Sequence, residues 1–532
     1  MLKTLSAAIL ITILSILNTV NAQDYLNELK LMPYPQKLEA APGRLVLDEN
    51  FSVVVKGAYT IRVKNYTLRF LNRLAGRTGI FFRNNEVSEN SSIEDVKLVI
   101  NTGREGKLVD NEDESYELNV NDREIVITSV TDIGSMRALE TLLQLLLADQ
   151  GNYFFPSVKI KDAPRFTWRG LMFDAGRHFM PVDVLKRNLD GMAAVKMNIM
   201  HWHLTEDQGF RIECHTFPEL HKLGSEGQYY TQEQIKEIIA YANARGIRVV
   251  PEFDIPGHST SWFISHPEFA SADGPYTLER KWGIFNPTFD PTKEEVYVFL
   301  DKFFAEMSSL FNDEYMHIGG DENNGKQWSA NTRIKKFMAD NNIADNHALQ
   351  GYFNKRILKI VTKYNKKMMG WANILRDDMP KNILMQSWQG VESLAKSAKL
   401  GYKSILSSDY YIDLVQPTTV HYLNDPIPEN STLTEQERKL ILGGEATMWS
   451  EFVNSETVDS RVWPRTAAIA ERLWSPQSVR DIYDMYKRME YISFRLEELG
   501  LMHEKNTTVM LRRLTNNADI AALKNLVDLV EP

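Results

Sequence analysis

A (β/α)8 TIM barrel preceded by a small α/β domain is the architecture this sequence predicts, and three observations lead there. From "KDAPRFTWRG" onward, short apolar runs alternate with amphipathic helical patterns, the alternation that builds parallel sheets. Most of those runs end in acidic, histidine or aromatic residues, and in a closed barrel all strand C-termini meet on one face. Before that point the pattern differs: alternating strands punctuated by Pro and Gly, then one helix. A doubly wound open sheet is the rival, but the glycine-rich phosphate loop of its nucleotide-binding versions is missing.

Taken in order, the chain opens with "MLKTLSAAILITILSILNTVNAQ". Lys3, an apolar stretch from Leu5 to Leu17 and the small-residue site ending at Ala22 read as a secretory signal peptide, residues 1–22. An uncleaved anchor is the competing reading, although the run is short for a span, and no later segment is apolar enough to cross a bilayer. Cys214 is the single cysteine, so no intramolecular disulfide forms and stability rests on core burial. Export without disulfides points to a bacterial periplasmic or secreted protein.

Residues 23–163 carry the strands "DVKLVINT", "ESYELNV" and "EIVITSV" and the helical "GSMRALETLLQLLLADQ", opened by Gly134-Ser135. This region clusters no His, Cys or carboxylates and reads as structural. Residues 164–503 supply the barrel runs: "RGLMFDAGRH", "MNIMHWHLTED", "IRVVPEFDIPGH", "EYMHIGGDE", "KKMMGWAN", "NILMQSW", "YKSILSSDYY" and "LILGGEATMW". Helical patterns lie between them over 181–196, 231–245, 292–311 and 347–364. Residues 504–532 form a helical tail with no assignable role.

The net charge of −9, without basic clusters, argues against nucleic-acid and anionic-membrane partners. Oligomeric state is open; outer helices of such barrels often pair, which makes a homodimer the assembly to test.

Functional candidates sit at the run ends. Asp174, Arg177 and His178 follow the first; His201, His203 and Asp207 the second; Glu252, Asp254 and His258 the third; Asp321 and Glu322 the fourth. Trp371, Trp388, the set Tyr410, Tyr411 and Asp413, and the pair Trp449 and Glu451 complete the series. One cluster is ordinary loop polarity; a series at equivalent positions points to a site. The adjacent acids Asp321 and Glu322 are unusual. Most glycosidases set two carboxyls across the scissile bond, and chain neighbours straddle a sugar poorly. Bland readings stand beside these: an acidic pair at a helix entry, a satisfied buried His–Asp pair, or core tryptophans.

"DAGRH", "TEDQGFRI", "EFDIPGH", "HIGGDE" and "GGEATMWSE", in that order at successive run ends, resemble the β-N-acetylhexosaminidases of glycoside hydrolase family 20. The N-terminal "MPYPQKLE", "ESYELNV" and "ALETLLQLL" are similar to that family's accessory domain. The resemblance implies an exo-acting enzyme releasing terminal β-linked GlcNAc or GalNAc with retention, through substrate-assisted catalysis. It implies Glu322 as general acid and then base, Asp321 as partner of the acetamido N–H, and Tyr411 as donor to the acetamido carbonyl. Asp207 and His258 would link through to the acid. Arg177 would bind the C3 and C4 hydroxyls, Asp413 and Glu451 the C4 and C6 hydroxyls, and Trp371, Trp388 and Trp449 would wall the pocket. The resemblance implies no cofactor and no metal. Glu206 departs from it, since the family commonly has Asp there.

Two rivals come from other classes. His201-Trp202-His203, with His258 and His317, suits a metal-dependent barrel hydrolase. A catalytically inactive carbohydrate-binding protein would keep the pocket and lose turnover.

Overall fold

The computed structural model describes residues 28–84, 86–89, 96–149 and 151–530, and the predicted signal peptide lies outside them. Two compact units emerge. Among the described residues the first holds 28–31, Pro35–Gly106 and Asp113–Ala163, and the second runs over 164–530. The short segments Met32–Tyr34 and Lys107–Glu112 group with the second unit, which sequence periodicity had no means to signal.

The first unit is built on a mixed sheet of eight strands. Tyr116–Val120 and Ile125–Thr131 alternate fully and less buried positions, as strands with one covered face do. Helices Ile61–Thr78 and Asp132–Gln144 pack together, with Tyr66 Oη donating to Glu140 Oε1 at 2.6 Å. The second helix starts two residues before the predicted glycine, because the Thr131 hydroxyl accepts the Gly134 N–H and caps it.

The second unit contains a closed, all-parallel barrel of eight strands: β1 Trp168–Asp174, β2 Ile199–His203, β3 Arg248–Glu252, β4 Tyr315–His317, β5 Lys367–Trp371, β6 Leu384–Ser387, β7 Lys403–Leu406 and β8 Ile441–Met448. β1, β2, β3 and β8 are buried at every position, which is why these runs read as continuous apolar stretches. The predicted helices appear as Val182–Ala194, Gln232–Asn243, Glu294–Leu310 and Asn346–Lys363. Caps set the starts of the second and fourth: Thr231 forms a capping box with Gln234, and the Asp345 carboxylate accepts the Ala348 N–H. The tail forms helices His503–Leu514 and Ala521–Val527, the first tied down where Asn506 Nδ2 donates to Glu456 O at 2.6 Å. Among the described residues no helix is long and apolar enough to cross a membrane.

The barrel interior is layered. One residue from each strand, from Trp168, Ile199 and Val250 round to Leu442, forms an apolar plug. Next comes a polar tier in which Glu445 receives His201 Nδ1 (2.7 Å), Gln386 Nε2 (2.8 Å) and Trp168 Nε1 (3.0 Å). Opposing carboxylates outweigh burial there and hold the His201 imidazole protonated, up to about 9. Asp174, His203, Glu252 and His317 are then in register across β1 to β4 and close the tier under the strand ends.

Candidate active site

The floor of the site grows from that tier. Glu252 Oε2 pairs with His203 Nδ1 at 2.6 Å, while its Oε1 accepts Trp371 Nε1–H at 2.8 Å. A buried carboxylate thus fixes the indole that ends β5. Trp371 meets Trp449 with ring centroids 5.6 Å apart, and Trp449 lies edge-on to His203 at 5.2 Å. Trp388, just past β6, donates its Nε1–H to Asn373 Oδ1 at 2.8 Å.

Asp174 joins the ends of β1 and β8. Its carboxylate accepts the N–H of Arg177 (3.0 Å), one Arg177 guanidinium nitrogen (3.1 Å) and the N–H of Ser450 (3.0 Å). Arg177 therefore stands beside Trp449 and Glu451. Its guanidinium lies 4.9 Å from the centre of the Trp449 ring, with Glu206 at 3.3 Å and Glu451 at 3.5 Å. Past β7, Ile412 N–H donates to Thr447 O and Thr447 N–H to Tyr410 O, which stitches the Tyr411 loop onto β8.

These elements enclose a cavity of about 310 Å³ lined by Arg177, Asp321, Glu322, Trp371, Trp388, Tyr411, Asp413, Leu414, Trp449 and Glu451. All the predicted substrate-binding residues, with Asp321, Glu322 and Tyr411, are among them; Leu414 had no sequence signal. Its size and its mix of indole walls and converging polar groups suit one monosaccharide ring. Burial, reinforced by Glu451, pushes the Asp413 carboxyl up to about 7. Burial raises Glu451 too, against the pull of Arg177.

Asp321 and Glu322 follow β4 after two glycines, Gly319 at φ +67 and Gly320 at φ +88. Glu322 itself adopts φ +45 and His258 φ +48, a region that costs a non-glycine residue about 1–3 kcal/mol. Both strained residues face each other: His258 Nε2 lies 3.6 Å from Glu322 Oε2 and 3.8 Å from Asp321 Oδ2.

On the other ring nitrogen, His258 Nδ1 pairs with Glu206 Oε1 at 2.8 Å, whereas Asp207 Oδ2 is 3.6 Å away. Asp207 instead accepts from Thr260, through N–H at 2.9 Å and through the hydroxyl. The short hairpin of Thr205–Glu206 with Gly209–Phe210 turns the two neighbouring acids to different partners. The predicted pair of Asp207 with His258 is thus a loose contact, and the tight one belongs to Glu206. Burial alone would lower His258; the Glu206 carboxylate overrides it and keeps the imidazole protonated. Glu206 stays ionised against burial because Arg177, His258 and His203 surround it. Burial and the neighbouring Glu206 push Asp207 up to about 6.

His201, Glu252 and His317 each place a ligand-type atom within 4.8 Å of the others, as do His203, Glu206 and Asp254. His203 itself is held by ion pairs to Glu252 and, at 3.2 Å, to Glu206, and these position the floor of the cavity.

With this geometry in view, comparison with known proteins decides the family. The catalytic-domain profile of glycosyl hydrolase family 20 matches residues 166–477, and the profile of that family's domain 2 matches 28–163. The chain belongs to glycosyl hydrolase family 20. Mouse beta-hexosaminidase subunit beta is 35% identical over 401 residues, 73% of this chain and 74% of the relative. A Flavobacterium johnsoniae chitobiase superposes with a TM-score of 0.91 at 48% identity, covering 94% of this chain and 77% of that one. A family 20 exo-β-N-acetylglucosaminidase from Vibrio harveyi, solved with N-acetylglucosamine, gives 0.77 at 28% identity, covering 89% and 78%. As a family 20 member the protein is a glycoside hydrolase of β-hexosaminidase type.

Proposed function

We propose that the protein removes terminal β-linked N-acetylhexosamine from glycans, with the substrate's own acetamido oxygen as nucleophile. The observation that carries this reading is the pairing of Glu322 with its chain neighbour Asp321 at one cavity wall. A nucleophile and an acid must act on opposite sides of the anomeric carbon, and adjacent residues serve that division badly. They serve substrate assistance well. Glu322 protonates the leaving oxygen and later deprotonates water. Asp321 accepts the acetamido N–H and offsets the positive charge that grows as the oxazolinium ring closes. The Tyr411 hydroxyl, which burial keeps protonated, donates to the acetamido oxygen and aims it at C1. Glu206 holds His258 protonated beside Glu322, so a fixed positive charge faces the acid through both proton transfers. Arg177, Asp413 and Glu451 bind ring hydroxyls, and the indoles of Trp371, Trp388 and Trp449 pack on the sugar and its acetamido group.

The test is release of nitrophenol from aryl β-GlcNAc and aryl β-glucoside by purified protein in excess EDTA. Turnover of the first and not the second supports the reading. Turnover abolished by EDTA, or absent for GlcNAc, sinks it. Export to a bacterial periplasm or medium is part of this proposal, supported by the Lys3-to-Ala22 pattern and the single cysteine. N-terminal sequencing of the mature protein would begin at Gln23.

A further inference from the structure

The two glycines before the acid pair, and a third carboxylate behind it, form one device. Asp254 follows β3 and is 1% exposed. Its backbone N–H donates to Thr205 Oγ1 at 3.0 Å, and its Oδ1 accepts the Gly320 N–H at 3.1 Å. A Cβ at Gly319 would stand 1.8 Å from Asp254 Oδ1 and 2.1 Å from its Cγ, so the carboxyl is pressed flat on that glycine. Asp254 Oδ2 is left buried without a hydrogen-bond partner, and so is Asp321 Oδ1. Asp254, His258 and Asp321 each put one polar side-chain atom within 4.8 Å of the other two. Two orphaned, buried carboxyl oxygens of neighbouring groups repel as two anions and become complementary once a single proton lies between them.

We propose that Asp254 is a positioning residue for Asp321: it carries the proton the two carboxyls share and donates it, as a hydrogen bond, to Asp321 Oδ1. This rests on the proposed role of Asp321. The proton belongs to Asp254 because its surroundings disfavour charge more. Its carboxyl is walled by Gly319 and faced by the anions Asp321, Glu252 and Glu206, whereas Asp321 reaches the cavity; the His258 imidazolium pulls both carboxyls the other way. Burial, then the Asp321 charge, push Asp254 well above the ordinary carboxylate range, while burial raises Asp321 to a lesser degree. The hydrogen bond stops the Asp321 carboxylate from rotating about its terminal torsion, which is otherwise soft. It leaves one oxygen free for the substrate, already aimed.

The experiment compares full-length wild type, Asp254→Asn and Asp254→Leu on aryl β-GlcNAc. The Asn amide donates where the protonated acid does; Leu fills the space and donates nothing. The expected result is kcat within about fivefold of wild type for Asn and roughly 10- to 150-fold lower for Leu, with KM little changed, since a donor to a charged acceptor is lost. On an Asp321→Asn background the Leu substitution should cost little more, because the pair acts as a unit. Asn and Leu crippled alike, both folded, would mean Asp254 works as an anion and would overturn the proposal. Both near wild type would overturn it as well. Infrared difference spectra give a reading independent of turnover: wild type minus Asp254→Asn at pH 7 should show the carbonyl band of one protonated carboxyl group, beyond those of groups such as Asp413 that both proteins keep. Its absence from the difference refutes the proposal even if the enzyme hydrolyses GlcNAc. Failure of wild type to turn over GlcNAc, with the band present, refutes the functional reading instead.

Discussion

Glu206 and Asp207 are chain neighbours of equal charge, and the structure predicts that exchanging each for its amide has unequal consequences. Glu206→Gln removes the anion that touches His258 Nδ1 at 2.8 Å inside the protein. With charge centres about 4 Å apart and an effective dielectric of about 20, the lost attraction is about 4 kcal/mol. Much of it is returned when His258 gives up its proton, so the net loss is nearer that of a charge-assisted hydrogen bond, about 1.5–3 kcal/mol. That corresponds to a fall in kcat of roughly 10- to 150-fold. Arg177 also loses its contact at 3.3 Å, so KM should rise as well. Asp207 lies 3.6 Å from His258 and is occupied by Thr260. Asp207→Asn should therefore lower kcat only about threefold, the scale of losing a fraction of one such bond. Steady-state kinetics on aryl β-GlcNAc, with melting curves to confirm folding, decide between them. A larger loss in Asp207→Asn than in Glu206→Gln would refute the reasoning.

Three further outcomes follow from the same geometry. The Asp413 carboxyl titrates at about 7, above its ordinary 3.8, so the folded state gains from its protonation. That contribution is full below pH 4 and is lost as pH rises through 7; Asp413→Asn should therefore melt higher than wild type at pH 8 and equally at pH 4. The ceiling is about 4 kcal/mol, reduced by solvent screening at the cavity mouth, and the gain comes with weaker substrate binding. Gly319→Ala should lower kcat/KM more than tenfold, because its Cβ displaces Asp254, while Gly79→Ala, at nearly the same φ with nothing within 4 Å, should only lower the melting temperature. Trp449→Ala removes the ring under the Arg177 guanidinium and should raise KM at least about fivefold, on the scale of a cation–π contact plus lost packing; an unchanged KM would contradict the placement.

Much of this was legible in the sequence, for reasons the fold makes plain. Strands buried on both faces read as apolar runs, and strand ends that share one rim read as recurring polar clusters, so the sequence alone groups Arg177, Asp321, Glu322, Trp449 and Glu451. What stayed hidden depends on side-chain direction in loops. Nothing in "TED" says whether Glu206 or Asp207 turns toward His258; a hairpin pairing of Glu206 with Gly209 decides it. Asp254 was visible as a polar strand end but had no readable role, because that role comes from packing on Gly319, sixty-odd residues away. Asn373 and Leu414 follow strand ends without any motif, and only the fold shows that the first accepts the Trp388 N–H and the second lines the cavity. The segment 107–112 joins the second unit through long-range contacts such as Arg248 with Asp110 at 2.8 Å, which no local pattern records.

The central claim is that the substrate's acetamido oxygen does the nucleophile's work. It is tested most directly with aryl β-glucosaminides whose N-acyl group is acetyl, fluoroacetyl, difluoroacetyl or trifluoroacetyl. Each fluorine drains electron density from the carbonyl oxygen while barely changing the group's size. The account predicts that kcat/KM falls steadily along the series, and that Asp321→Asn flattens the dependence. A rate indifferent to fluorination would mean that a protein group attacks the anomeric carbon, and the assignment of Asp321 and Tyr411 would fall with it.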